Sequence, residues 1–235
     1  MTPILFDLDG TLIDVSARHY CLYRSVISGQ GVEALPPGDY WRHRRAGEST
    51  IDLLAATPGV DVERFTAAWM EGIERPGWLA LDEPYEGAVE TIEALGPEYE
   101  LVLITLRRDR VALMDQLEAL QMKSYFTDVI CHGPELVRGK HQLQGVAGLT
   151  PGGYAVGDTE ADIELALETG RQAICLSYGV RSGRYLAGRG AETVIGSLRE
   201  LPEVISAAER SGGPADVADA EQGVALRNVH VRARF

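Results

Sequence analysis

The sequence predicts an α/β fold: a doubly wound parallel sheet interrupted by an α-helical insertion. Three observations lead there. Ile4-Leu5-Phe6 is a wholly apolar run that meets Asp7, as a strand buried on both faces does. From Gly87 onward, short apolar runs alternate with stretches of helical period, the pattern of repeated βαβ units. Between Asp14 and Pro84 helical spacing recurs and nothing reads as a strand.

Taken in order, residues 4–6 give the first strand, and Gly10 lets the backbone turn sharply after it. A helical pattern runs from Ser16, read as its N-cap, to about Ser28. Gly29 to Gly38, with Pro36-Pro37-Gly38, reads as a break. Residues 41–49 are basic and polar. Thr50 to Ala56 and Val62 to Ile73 read as helices, the second with Val62, Phe65, Trp69 and Ile73 at helical spacing. Helix 88–95 and strand 101–105 follow. Helix 110–121 carries Val111, Met114, Leu117 and Leu120 on one face. Then come strand 127–131, helix 140–147, strand 154–156, helix 163–168 stopped by Gly170, and strands 172–176 and 192–195. This divides the chain into a core of residues 1–14 plus 85–206, a helical cap of 15–84 and a tail of 207–235. Ser211-Gly212-Gly213-Pro214 reads as a linker into a disordered tail, with an edge strand over 224–235 as the lesser reading.

The chain has 235 residues with 45% apolar content, enough for one large domain or a domain with an insertion. Its net charge of -13 argues against a nucleic-acid partner. Cys21, Cys131 and Cys175 are sparse and unclustered, as in a reducing compartment. No basic leader or long apolar run is present, so the expectation is a cytoplasmic protein with no membrane partner. Composition leaves the oligomeric state open.

The chemistry concentrates at strand ends. Asp7 and Asp9 follow the first strand, and ligands of open α/β sheets bind beyond the carboxyl ends of strands. Two such close acids repel unless a cation or shared proton separates them, and a hard divalent ion such as Mg2+ suits an oxygen site. A second acidic element, Gly157-Asp158-Thr159-Glu160-Ala161-Asp162, follows the strand at 154–156. Either motif alone has a bland reading, as a turn or helix cap. Their conjunction in chain order favours a site.

Phe6-Asp7-Leu8-Asp9-Gly10-Thr11-Leu12 resembles the first signature of the haloacid dehalogenase superfamily, most of whose members are phosphatases. The resemblance covers residues 4 to about 205 and implies a Rossmannoid core with a helical cap of the phosphoglycolate-phosphatase-like type. It implies that Asp7 is the nucleophile, forming an aspartyl-phosphate, and that Asp9 is the general acid and base. It places Thr105 on a phosphoryl oxygen and Lys140, one of only two lysines with Lys123, against the nucleophile. Mg2+ falls to Asp7, the backbone carbonyl of Asp9, Asp158 and Asp162. Two departures stand out: Leu106 and Arg107 follow Thr105 where Asn is common, and His141 follows Lys140 where Pro is usual.

Within that superfamily, Asp9 argues against the dehalogenases, which lack the second acid. The absence of lysine from 14–84 argues against the Schiff-base phosphonatases. The expected function is hydrolysis of a small phosphorylated metabolite, phosphoglycolate-like or a sugar phosphate. A phosphomutase and a non-catalytic binding protein on the same fold are the alternatives. Gly47-Glu48-Ser49-Thr50-Ile51 resembles the cap loop of phosphoglycolate-phosphatase-like members. Arg42, Arg44 and Arg45 are candidate contacts to a carboxylate or second phosphate on the substrate, and Arg107 is a candidate replacement for the contacts of the missing Asn. His19, His43 and the arginines of 42–45 are the cap candidates for holding a mutase's second substrate.

Overall fold

A computed structural model describes residues 1–131, 140 and 145–212. The chain opens with β1 (Thr2–Phe6) and β2 (Ile13–Asp14). Five helices follow: α1 (Ser16–Ser28), α2 (Pro37–Arg45), α3 (Thr50–Ala55), α4 (Val62–Gly72) and α5 (Pro76–Leu79). The chain returns through β3 (Glu83–Pro84), α6 (Ala88–Leu95), β4 (Tyr99–Thr105), α7 (Arg110–Ala119) and β5 (Asp128–Cys131). It ends with β6 (Tyr154–Gly157), α8 (Glu160–Glu168), β7 (Gln172–Leu176), α9 (Gly183–Gly188), β8 (Thr193–Ile195) and α10 (Leu201–Arg210).

Six strands form one sheet in the order β5-β4-β1-β6-β7-β8, every neighbouring pair parallel. β1 lies in the middle. The chain winds outward from it first through β4 and β5, then on the other side through β6, β7 and β8. That reversal opens a crevice at the carboxyl end of β1. Strand alternation explains why the runs are apolar throughout. Ile4, Phe6, Leu101 and Leu103 join one buried layer with Ile92, Leu117 and Ile205. Leu5, Val102 and Ile104 face the opposite layer with Ile130, Ala155, Leu165 and Ala166.

The inserted helices have an apolar core of their own, built from Tyr23, Ile27, Tyr40, Leu53, Leu54 and Phe65. Local chemistry starts these helices. Ser49 Oγ accepts from Asp52 N at 3.0 Å, Asp61 Oδ1 accepts from Arg64 N at 2.9 Å, and Pro37 sits at the first turn of α2. Trp41 packs against both this core and the larger layer of the sheet, so it marks where cap meets core.

Several sequence expectations are corrected. Ser16 is the first residue of α1, not its cap; Asp14 Oδ1 accepts its N–H at 2.8 Å. Pro37 and Gly38, read as a break, begin α2. A two-residue ladder, β2 against β3, closes the ends of the insertion where no strand was expected. The buried face of α7 is Leu113, Gln116 and Leu117, while Val111 is exposed. α8 starts earlier, at Glu160, and α9 was not anticipated. α10 runs through 207–210, which had been given to the tail. The helix expected over 140–147 lies largely outside the described residues. Its end is a 3-10 turn at Val146–Gly148. The linker from Gly213, the possible edge strand at 224–235 and His141 also lie outside them. Among the described residues, no helix is long and apolar enough to cross a membrane.

Candidate active site: two sets of buried carboxylates

The crevice collects the sequence candidates. Asp7 follows β1, Thr105 ends β4, Asp158 follows β6, and Asp162 lies in the first turn of α8. One carboxylate oxygen from each of Asp7, Asp158 and Asp162 lies within 4.8 Å of the others, and all three residues are buried. Lys140 Nζ lies 2.6 Å from Asp7 Oδ1 and 2.7 Å from Asp162 Oδ1. Thr11 Oγ1 donates to Asp158 Oδ1 at 3.0 Å and lies 3.4 Å from Asp7 Oδ2. Val180 N donates to Asp158 Oδ2 at 2.6 Å. The second oxygen of Asp162 accepts from Thr159 N at 3.0 Å and Thr159 Oγ1 at 2.8 Å, a capping box that fixes its rotamer.

Glycines make the room. Gly10 has φ of +89°, and a Cβ there would lie 2.4 Å from Asp158 Oδ2. A Cβ on Gly179 would also lie 2.4 Å from that oxygen. The GDxxxD spacing thus works together with the turn of the first motif.

The charges are unequal. Three carboxylates share one ammonium. Burial, and next to it the neighbouring carboxylate of Asp162, pushes Asp7 up to about 7 despite Lys140. Burial and the charges of Asp7 and Asp162 carry Asp158 well above the usual carboxylate range. Burial alone would lower Lys140, but Asp162 and Asp7 outweigh it and raise its pKa. A surplus of buried negative charge on converging oxygens fits a hard dication.

Asp9, expected to offer the metal its backbone carbonyl and not its side chain, has its carboxylate in other company. Its carboxylate points away from the trio, into a pair of arginines. Arg18 Nη2, from α1, lies 2.5 Å from Asp9 Oδ1. Arg107 holds both oxygens, Nη2 to Oδ1 at 2.5 Å and Nε to Oδ2 at 2.8 Å. Arg18 Nε reaches Asp82 Oδ1 at 2.9 Å, and Gln116 Nε2 donates to Asp82 Oδ2 at 2.9 Å. Burial would raise Asp9, but Arg107 and Arg18 outweigh it and hold its carboxyl far below the usual range. Arg107, whose N also donates to Thr105 Oγ1 at 3.4 Å, is therefore bound to Asp9. Sequence reasoning did not single out Arg18, Asp82, Gln116 or Thr11.

The other cap candidates sort cleanly. Arg42 is exposed and pairs with Asp39. His43 pairs with Glu48 at the surface. Arg45 donates to the carbonyls of Ser177, Tyr178 and Gly179 at 2.6, 2.9 and 2.8 Å, clasping the loop that carries Val180. Arg181 binds Glu160 in a fork and donates Nη1 to the carbonyl of Arg44 at 2.7 Å. Lys123 pairs with Glu118 on the surface.

Comparison with known proteins agrees with this geometry. A family model described as haloacid dehalogenase-like hydrolase matches residues 4–143. Phosphoglycolate phosphatase 1 of Pseudomonas aeruginosa is 29% identical over 217 residues, covering 84% of this chain and 77% of the relative. Phosphoglycolate phosphatase of Agrobacterium fabrum is 24% identical over 196 residues, covering 76% and 82%. Among solved structures, a haloacid dehalogenase-like family hydrolase from Streptococcus pneumoniae superposes with a TM-score of 0.73 at 20% identity, covering 87% of this chain and 98% of its own. A β-phosphoglucomutase from Thermotoga maritima shares the fold with a TM-score of 0.61 at 21% identity, covering 88% and 99%.

Proposed function

We propose that this chain, which belongs to the haloacid dehalogenase-like hydrolases, is a Mg2+-dependent phosphatase of a small phosphorylated metabolite acting through an aspartyl-phosphate. The observation that carries the reading is the under-neutralised trio of Asp7, Asp158 and Asp162 at the crevice of the sheet.

Asp7 is the nucleophile. Lys140, 2.6 Å away, holds its Oδ1 and leaves Oδ2 for attack on phosphorus. The alkoxide leaves, and water then cleaves the acyl phosphate to return the Asp7 carboxylate and free phosphate. Asp7, Asp158 and Asp162, with the backbone carbonyl of Asp9, would hold Mg2+. When bound, the ion offsets the negative charge that otherwise keeps a carboxylate from a phosphate monoester. Thr105, buried at the end of β4, hydrogen-bonds a phosphoryl oxygen.

Asp9 serves as acid and then as base. Clasped by Arg18 and Arg107 it is ionised, the form that activates water in the second half-reaction. An arriving phosphoryl group brings negative charge beside it, which opposes the arginines and favours proton uptake for the first half. The relatives named for phosphoglycolate support a small substrate of that kind.

A panel of phosphomonoesters, assayed with Mg2+ and with EDTA, tests the reading. The expected result is equal release of phosphate and alcohol, abolished by EDTA. No cleavage anywhere on the panel would overturn it. Isomerised sugar phosphate without phosphate release would show a mutase instead.

A further inference from the structure

The cap presents buried polar atoms that the reaction outlined above does not use. Among the described residues, five buried side-chain polar atoms have no hydrogen-bond partner, and three of them belong to the cap: His19 Nδ1, Tyr40 OH and Arg44 Nε. Orphaned buried donors are costly in a folded protein, and each calls for an explanation such as a missing ligand.

These three atoms share one region. Tyr40 and Arg44 are one helical turn apart on α2, and Trp41 and Arg44 are three residues apart, so they share its face. The His19 ring stacks on Trp41 at 6.3 Å between centroids with 18° between planes, and Trp41 lies where cap meets core. His19 follows Arg18, which binds Asp9. Arg45, next to Arg44, clasps the carbonyl of Gly179, whose neighbour Val180 donates to Asp158, and Arg18, next to His19, binds Asp9, so this polar group lies beside both sets of acids.

Of the described cap and loop arginines, Arg44 is the one with a buried donor left unpaired. Arg18 and Arg107 are spent on Asp9 and Asp82, Arg45 on three carbonyls, and Arg42 faces solvent. Arg44 is anchored at both ends. Its Nη1 donates to the carbonyl of Glu48 at 2.9 Å, and its own carbonyl accepts from Arg181. The guanidinium edge bearing Nε is left for a planar anion, which a carboxylate meets with two parallel hydrogen bonds.

We propose that Arg44 is the specificity-determining group of the cap and binds a carboxylate on the leaving alcohol. The substrate class is thus a short phosphorylated hydroxy acid, and a neutral sugar phosphate is disfavoured. This rests on the phosphatase reading and sharpens it.

The test compares kcat/KM for 2-phosphoglycolate with that for its primary amide, which has the same shape without the charge. The wild-type chain should prefer the acid by about 10- to 100-fold, as expected for a charge-assisted pair. Arg44→Gln should lower kcat/KM for the acid by a similar factor, mainly through KM, and lower that for the amide at least tenfold less. Arg44→Lys should recover part of the loss, and Arg42→Gln should change neither substrate. The wild-type ratio needs no variant, so it remains decisive if Arg44→Gln misfolds. Equal wild-type rates on acid and amide would overturn the assignment and leave the phosphatase standing. An equal loss on both substrates in folded Arg44→Gln would do the same. Hydrolysis of neither substrate, nor of any other phosphomonoester, would instead sink the phosphatase reading itself.

Discussion

Two sets of buried acids sit next to one another and are balanced in opposite ways. Asp7, Asp158 and Asp162 share a single ammonium, Lys140. Asp9 and Asp82 share two guanidiniums, Arg18 and Arg107, and the amide of Gln116. The first set is short of positive charge; the second is neutral. Burial carries Asp7 and Asp158 far upward and raises Asp82 less, because Arg18 and Gln116 offset it there, while the arginines drive Asp9 downward. The proposed metal site is thus distinguished from the neighbouring ion network by its unfinished charge balance. The neutral set has a mechanical role as well. Arg18 comes from the cap, where its Nη1 also binds the carbonyl of Ile73 at 3.0 Å, and Arg107 comes from the core. Asp9 and Asp82 therefore tie the two together.

The largest break in the comparison comes from Asp7→Asn. Turnover should fall by about four orders of magnitude or more, because an amide does not form the acyl phosphate. Thermal unfolding without metal should move the other way. One like charge is gone from a crowded set, so Tm should hold or rise. Full activity in Asp7→Asn would refute the nucleophile assignment, and a large fall in metal-free Tm would refute the surplus of charge.

Arg18→Met attacks the neutral set. It leaves the buried Asp82 and the partly exposed Asp9 facing one guanidinium, at a cost of up to about 3–5 kcal/mol, or a Tm lower by about 10 °C. Added Mg2+ should not restore it. A loss below about 1 kcal/mol in urea unfolding would show that the network contributes little.

The contrast between the two sets also explains what the sequence revealed. Asp7, Asp158 and Asp162 were legible because β1 and β6 are unbroken apolar runs and the acids follow them directly. Lys140 stood out because lysine is so rare in this chain. Arg18 was hidden in plain view. Val15, Arg18 and Leu22 share a helical stripe whose other members are buried, and a charge in such a stripe signals a buried partner. Asp82 lies in an aperiodic return to the sheet, and no pattern could have matched it to Arg18, far away in sequence. Gln116 was missed because the stripe of α7 was read through Val111, Met114, Leu117 and Leu120, although the helix buries Leu113, Gln116 and Leu117. Pro37-Gly38 misled because proline marks both a break and the first turn of a helix.

The pH dependence of metal-free stability sharpens the comparison further. Asp7 and Asp158 have folded pKa values above their unfolded ones, so the folded state binds more protons between pH 4 and 7. Their contribution is complete below the unfolded pKa and is lost as pH rises through the folded pKa. Metal-free protein should therefore lose stability from about pH 4 to above pH 7, by up to about 4 kcal/mol for Asp7 alone. Saturating Mg2+ should flatten this slope, because the ion favours the ionised acids. Asp9, whose folded pKa is lowered, contributes the opposite slope, lost only as pH falls below the usual carboxylate range. Urea titrations across pH with and without Mg2+ measure both. His19, held neutral by burial and by Arg18, adds an opposite slope over this range, so the decisive reading is the difference from Asp7→Asn: a metal-free slope that the substitution leaves unchanged would contradict the charge surplus.

The smallest effect is the most selective, and it lies on Thr11. This side chain is fully buried and its hydroxyl donates to Asp158 at 3.0 Å. Thr11→Val keeps the shape and removes the donor. Because burial and the charges of Asp7 and Asp162 raise Asp158, it gains charge only as pH rises well past the usual carboxylate range, and the bond lost then passes from a neutral one, about 0.5–1.5 kcal/mol, toward a charge-assisted one, about 1.5–3 kcal/mol. The destabilisation should therefore grow as pH rises. In the neutral set the reverse control is Gln116→Met, where Gln116 Nε2 donates to Asp82 at 2.9 Å as well as to the carbonyl of Leu79 at 3.0 Å. Burial raises Asp82 too, but the adjoining Arg18 and Gln116 hold that rise below the one at Asp158, so its cost should vary less over the same rise in pH. If Thr11→Val and Gln116→Met show the same pH dependence, the two sets of carboxylates do not differ in charge balance as the geometry requires.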